Sequence, residues 1–192
     1  MALQTESNDL LAETIRAYPG RLYGLATLAT PAPAQAAREL ERAVTTLGLD
    51  GAMIFGRTRD RDLDHPGFWP IFETAAALNA PLYLHPQSPP PAVRTAYYDG
   101  FDAALDAAFA THGVGWHYDT GVQILRLILA GIFDRFPGLQ VITGHWGEVV
   151  LFYLDRIDQL AEVAQLQRQP SDYVRTNLLI TPSGILSHRY LQ

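Results

Sequence analysis

The stretch Val141-Ile142-Thr143-Gly144-His145-Trp146-Gly147-Glu148 decides the fold. It follows the turn pair Pro137-Gly138, begins β-branched, and stops being apolar at a histidine, after which a glycine and a glutamate open the amphipathic run 149–166. This pattern reads as a strand that delivers a histidine to its carboxyl end and hands over to a helix. A second stretch, Leu82-Tyr83-Leu84-His85-Pro86, repeats it. In proteins built from strand-helix units, ligands gather outside the carboxyl ends of the strands, so both histidines stand where chemistry is expected.

Outward from these two stretches the chain alternates helical and strand-like pieces. Residues 8–18 place Leu10, Leu11 and Ile15 at helical spacing, with Ser7 or Asn8 as a cap and Pro19-Gly20 as a stop. Residues 21–28 read as a strand, 34–47 as a helix with Ala36, Leu40, Val44 and Leu47 on one face, and 51–56 as a short buried strand. A charged loop, 57–66, leads into a helix over 67–79 that feeds the strand 82–85. Residues 86–114 form the longest irregular part, and loops of that length in a compact domain are more often functional than idle. A further helix is expected over 119–136, and a short helix starting at Pro170 precedes a strand over 177–184. Five strands joined by helices of crossover length predict an α/β fold with a parallel sheet. A complete eight-stranded barrel takes about 250 residues. With 192 residues, the expectation is an open sheet or an incomplete barrel, in a single domain over residues 1–192.

Composition narrows the function classes. Hydrophobic residues make up 48% of the chain, enough for a sizeable core, and the formal charge of -6 argues against nucleic acid or an anionic membrane as the main partner. With no cysteine, disulfides, thiolate catalysis and cysteine-ligated metal are excluded. No apolar run reaches transmembrane length, and the amino-terminal residues lack the form of a signal peptide, so a cytoplasmic location is the default expectation.

The wording of the chain is that of a known family. YPGRLYGLATL, then LDHPGFWPIFETAAALNAPLYLHP, then GVQILRLILAGIFDRFPGLQVITGHWGEVVLFYLDRID, then SDYVRTNLLITPSG, in this order, resembles the amidohydrolase-related decarboxylases, the group of 2,3-dihydroxybenzoate, γ-resorcylate and aminocarboxymuconate semialdehyde decarboxylases. The resemblance implies a distorted (β/α)8 TIM barrel and one divalent metal ion, zinc or manganese. It implies loss of carbon dioxide from a small aromatic or vinylogous carboxylic acid without an organic cofactor. His85 matches the metal-ligand histidine. His145 matches the second active-site histidine, and Glu148 the glutamate that hydrogen-bonds it and fixes its tautomer. The family takes further ligands from a Glu/His-x-His motif on its first strand and an aspartate on its last, and neither motif is present. The chain is therefore expected to be truncated at both ends relative to the family. At Trp116-His117-Tyr118-Asp119-Thr120 the family tends to have glutamate before the threonine. Asp119 and His117 are the candidate substrate-binding residues.

Each candidate also has a plainer reading. A lone strand-end histidine is commonly structural, Glu148 could be a first-turn carboxylate favoured by the helix dipole, and Asp119 with Thr120 could be a helix cap. His117 and His112 could line a pocket or sit on a surface loop, His65 reads as a turn residue, and His188 has no reading. Arg57, Arg59 and Arg61 could hold a substrate carboxylate or form a solvated loop. Trp69, Phe72, Phe133 and Phe152 read as core or interface. Two functions outside the decarboxylase reading stay open: a hydrolase or hydratase of the same superfamily, and a noncatalytic remnant or scaffold. Two unpaired sheet edges favour self-association as a homodimer or homotetramer.

Overall fold

The computed structural model describes residues 2–186. His188 lies outside the described residues. The elements that position the site are helix α1 (Ala2–Arg16), strand β1 (Leu25–Thr27), helix α2 (Pro33–Thr45), strand β2 (Gly51–Phe55), a small hairpin of β3 (Arg57–Thr58) and β4 (Arg61–Asp62), helix α3 (Trp69–Leu78) and strand β5 (Leu82–His85). Then come α4 (Pro91–Tyr97), α5 (Ala103–Ala108), α6 (Gly115–Leu129), α7 (Ile132–Arg135), strand β6 (Val141–Thr143) and a distorted turn α8 (His145–Glu148). Short turns α9 (Leu154–Ile157) and α10 (Leu160–Val163), helix α11 (Pro170–Asn177) and strand β7 (Leu178–Ile180) complete it. Five strands form one parallel sheet in the order β1-β2-β5-β6-β7, as the alternation predicts. The sheet is open: among the described residues, β1 and β7 each have a strand partner on one side only.

Register explains which residues the sheet buries. Because side chains alternate across a strand, Ala26, Ala52, Ile54, Leu82, Leu84, Val141 and Leu178 point to one face, where they join the apolar faces of α2, α3, α6 and α11 in a single core. The opposite face carries Thr27, Met53, Tyr83, Ile142 and Leu179 in one row, with Phe55 beside His85 above it. No helix covers that row among the described residues; Phe55 and Leu179 are each 48% exposed. His85 belongs to this open face.

Several sequence-based boundaries shift, each for a local reason. The loop 57–66 contains the β3–β4 hairpin, which turns through Arg59 at φ 56°. Within 86–114, proline opens α4, and the carboxylate of Asp102 caps α5 by accepting from the amides of Ala104 and Leu105. The expected helix 119–136 is two helices, divided by Gly131 in the left-handed region. Asn8 is no cap: it is buried inside α1, where its amide nitrogen donates to the Thr27 carbonyl and its oxygen accepts from the Thr27 amide. Together with Gln4, which accepts from the Ala29 amide, it satisfies the outer edge of β1. One of the two expected open edges is thus closed by side chains. Phe72 and Phe133 are core, Trp69 packs against Phe136 and Arg135, and Phe152 is exposed.

Candidate active site at the carboxyl ends of the strands

Leu84 lies opposite Thr143 in the β5–β6 pair, so the next residues of the two strands, His85 and then Gly144-His145, leave the sheet side by side. His85 is half-buried, with its Nδ1 2.8 Å from the carbonyl oxygen of Pro86. With Nδ1–H donating to that carbonyl, the lone pair sits on Nε2. Phe55 stands edge-on to the imidazole at 5.5 Å, and Tyr83 flanks it at 6.3 Å.

His145 opens a backbone excursion that local sequence rules do not anticipate. Residues 145 to 149 all have positive φ, at 49°, 58°, 81°, 52° and 62°, although only Gly147 is a glycine. A left-handed residue with a Cβ costs roughly 1–2 kcal/mol, and such strain survives only where surrounding contacts over-determine it. Here the Trp146 amide donates to the Thr181 carbonyl, its indole N–H donates to the Ile185 carbonyl, and the Gly147 amide donates to the Gly144 carbonyl. Ser183 Oγ accepts from the His145 amide, and a Cβ on Gly144 would lie 2.7 Å from that hydroxyl, so only glycine fits. The amphipathic run 149–166 is consequently not one helix but a series of short turns.

The product of the excursion is a fully buried carboxylate held by two imidazoles. Glu148 Oε1 accepts from His145 Nδ1 at 2.6 Å, and Oε2 accepts from His117 Nδ1 at 2.7 Å. The hydrogen bond between Glu148 and His145 that the resemblance implies is present; the helix-dipole reading does not apply, because residues 145 to 149 are left-handed and no regular helix starts here. His117 comes from the first turn of α6, its ring 4.5 Å from that of His145. The hydrogen bond to Glu148 raises the His117 pKa above its ordinary value, against the opposing effect of burial.

Asp119 sits inside α6, past its first turn, so it is not the cap. Both its oxygens accept from Nη1 of Arg57 at 2.7 Å, and Nη2 of Arg57 donates to the Ser88 carbonyl at 2.6 Å. Burial nevertheless lifts the Asp119 pKa, with Arg57 pulling the other way. Arg59 and Arg61 remain exposed, His112 is exposed, and His65 caps a 3-10 turn by accepting from the Gly67 amide. A cavity of about 900 Å³ is lined by Arg57, Asp119, Tyr97, Tyr98, Tyr118 and Gln123 among others. None of His85, His117, His145 or Glu148 lines it. This cavity and the imidazole cluster are therefore separate places on either side of α6, and the cluster is where titratable groups converge at the strand ends.

Two sets of donors bear on a divalent metal. His85 fits, because a metal-bound histidine usually donates its second ring N–H to a carbonyl or carboxylate and ligates through the other nitrogen. Among the described residues, His117, His145 and Glu148 form the one group of three donors within 4.8 Å of one another. Their nitrogen–oxygen separations of 2.6 and 2.7 Å are hydrogen-bond lengths. Two ligands of a tetrahedral zinc, each about 2.0–2.1 Å from the ion, stand roughly 3.3 Å apart. As arranged, the trio is a hydrogen-bonded cluster, and a metal there would replace both bonds.

The amidohydrolase family profile matches residues 1–185. A γ-resorcylate decarboxylase of a Polaromonas species is 37% identical over 190 residues, covering 93% of this chain and 56% of that protein. The solved structure of 5-carboxyvanillate decarboxylase from Sphingomonas paucimobilis superposes with a TM-score of 0.88 at 39% identity, covering 99% of this chain and 57% of the other. A dihydroxybenzoic acid decarboxylase from Polaromonas, solved with manganese and the inhibitor 2-nitroresorcinol, gives 0.85 at 34% identity, covering 98% and 58%. The chain thus spans little more than half the length of these relatives. Its fold, its strand-end histidines and the profile agree: the chain belongs to the amidohydrolase family.

Proposed function

We propose that the protein acts in metal-dependent, non-oxidative decarboxylation of a hydroxylated aromatic or related unsaturated carboxylic acid, with His85 as a metal ligand and His145 as the residue that faces substrate. The single observation that carries this is the pairing, on adjacent strands, of two imidazoles whose Nδ1 atoms are committed to oxygen acceptors, so that both Nε2 atoms are left for chemistry. The reaction replaces the carboxylate on the ring carbon by a proton drawn from solvent. The electron pair of the C–C bond returns to the ring as carbon dioxide leaves. The metal, when bound, supplies Lewis acidity toward the carboxylate and its neighbouring hydroxyl. His145 Nε2 accepts a hydrogen bond at the reacting group, Glu148 keeps the imidazole in the tautomer that leaves this nitrogen unprotonated, and Phe55 and Tyr83 offer apolar surface for a planar ring. Manganese and zinc both suit an imidazole donor, and relatives solved with manganese support the former. Asp119 is assigned a supporting role, holding Arg57 at the wall of the neighbouring cavity, since Arg57 donates to both its oxygens.

The reading extends to a homo-oligomer in the cytoplasm; no described helix is long and apolar enough to cross a membrane. The test begins with metal content per chain and continues with carbon dioxide release from 2,6-dihydroxybenzoate and 5-carboxyvanillate in the presence of manganese or zinc. Metal uptake with release of carbon dioxide is expected. Metal uptake with hydrolysis or hydration instead would favour the hydrolase alternative, and an assembled protein that takes up no metal would favour the noncatalytic scaffold.

A further inference from the structure

The orienting bond between His145 and Glu148 leaves a question that the pair alone does not answer. A carboxylate has two oxygens and rotates about its last bond, and Glu148 is fully buried on a strained backbone. One hydrogen bond from His145 fixes one oxygen. The second oxygen, away from water, needs its own donor or it carries the cost of an unsatisfied buried acceptor.

The structure supplies that donor from another element. His117 projects from α6, 31 residues earlier in the chain, and donates Nδ1–H to Oε2 at 2.7 Å. Four residues on, hence on the same face of the helix, Gly121 lets α6 press against the turn: a Cβ there would lie 2.5 Å from the Glu148 carbonyl oxygen. The spacing His117-x-x-x-Gly121 is therefore a single contact surface, with the glycine setting the approach and the histidine using it. Because Nδ1 is consumed in this way, His117 is not free to hold substrate through that atom.

We infer that His117 is a positioning residue: it clamps the far oxygen of Glu148 so that the near oxygen holds His145 in one tautomer, with Nε2 as its only available nitrogen. This deepens the decarboxylase reading and rests on it only for the use to which His145 is put. The two are separable, because the clamp is read from imidazole nitrogens and the reaction from turnover.

The experiment is side-chain 15N NMR of the histidines on the full chain, comparing the unaltered protein with His117→Ala, His117→Asn and Glu148→Gln. Asparagine places an amide N–H close to the position of Nδ1, so it can still donate to Oε2. The unaltered protein should show His145 with a protonated Nδ1 and an unprotonated Nε2 as two well-separated resonances. In His117→Ala the two should move toward each other as the tautomers exchange, and in His117→Asn the separation should return. In Glu148→Gln the new amide can accept from only one imidazole, so one of the two histidines should switch its protonated nitrogen. His145 resonances unchanged in His117→Ala would overturn the inference, as would a His117→Asn variant that folds but leaves His145 exchanging. Should His117→Ala fail to fold, the asparagine and Glu148→Gln spectra decide the matter by the same criteria.

Discussion

At the residue scale, the roles of the site's side chains follow from what they touch. His85 offers Nε2 with its other nitrogen committed, so His85→Ala should reduce bound metal to the background level in elemental analysis. His145→Ala should keep the metal and lower turnover. Retention of full metal by both variants would remove His85 from the site. His117 has a raised pKa because Glu148 favours its protonated form. The folded protein therefore holds this proton more tightly than the unfolded chain. The stability it contributes is fully present below about pH 6.5 and is lost as pH rises through the higher folded value. Thermal melts from pH 6 to 9 should show that decline, and His117→Asn should flatten it. Arg57 and Asp119, about one-tenth exposed each, are a buried ion pair. Arg57→Met leaves an uncompensated carboxylate and should cost about 3–5 kcal/mol in urea unfolding. A variant within 1 kcal/mol of the parent would mean that water reaches Asp119.

At the scale of elements, the site depends on two surfaces meeting closely. Helix α6 carries His117 and Gly121 on one face and Tyr118, Asp119 and Gln123 toward the cavity on another. The turn 145–149 presents its backbone to the first of these. Gly121→Ala sets a methyl group against a carbonyl oxygen and should cost about 1–3 kcal/mol, as overpacking does. The same shift should lengthen the His117–Glu148 bond, so the variant should melt at a lower temperature and also lose the pH dependence that His117 confers. A destabilised variant that kept that dependence would show that the helix yields elsewhere. Helix α1 does comparable work at the other side of the sheet, where Asn8 takes the place of a neighbouring strand for Thr27.

At the scale of the whole molecule, a parallel sheet is normally covered on both faces, and here helices cover one. Met53, Phe55, Tyr83, Ile142 and Leu179 make the other face apolar and half-exposed, with His85 at its upper rim. Such a surface favours association, so light scattering should give a mass above that of a single 21.2 kDa chain. A monomer at micromolar concentration would contradict the expected homo-oligomer. The sequence by itself determined the five-strand alternation, the parallel sheet and the two strand-end histidines, because periods of 2 and 3.6 residues and a Gly-x-x-Gly run are local properties. It also placed Glu148 near His145, only three residues away. It read Asp119 as a cap or a substrate-binding residue; the fold places it past the first turn of α6 and pairs it with Arg57, 62 positions earlier. Tertiary structure alone decided that pairing, the second imidazole on Glu148 and the left-handed turn. Each of these is held by partners distant in sequence, and the contacts, not the local preferences of the residues, stabilise a conformation that the residues would otherwise avoid.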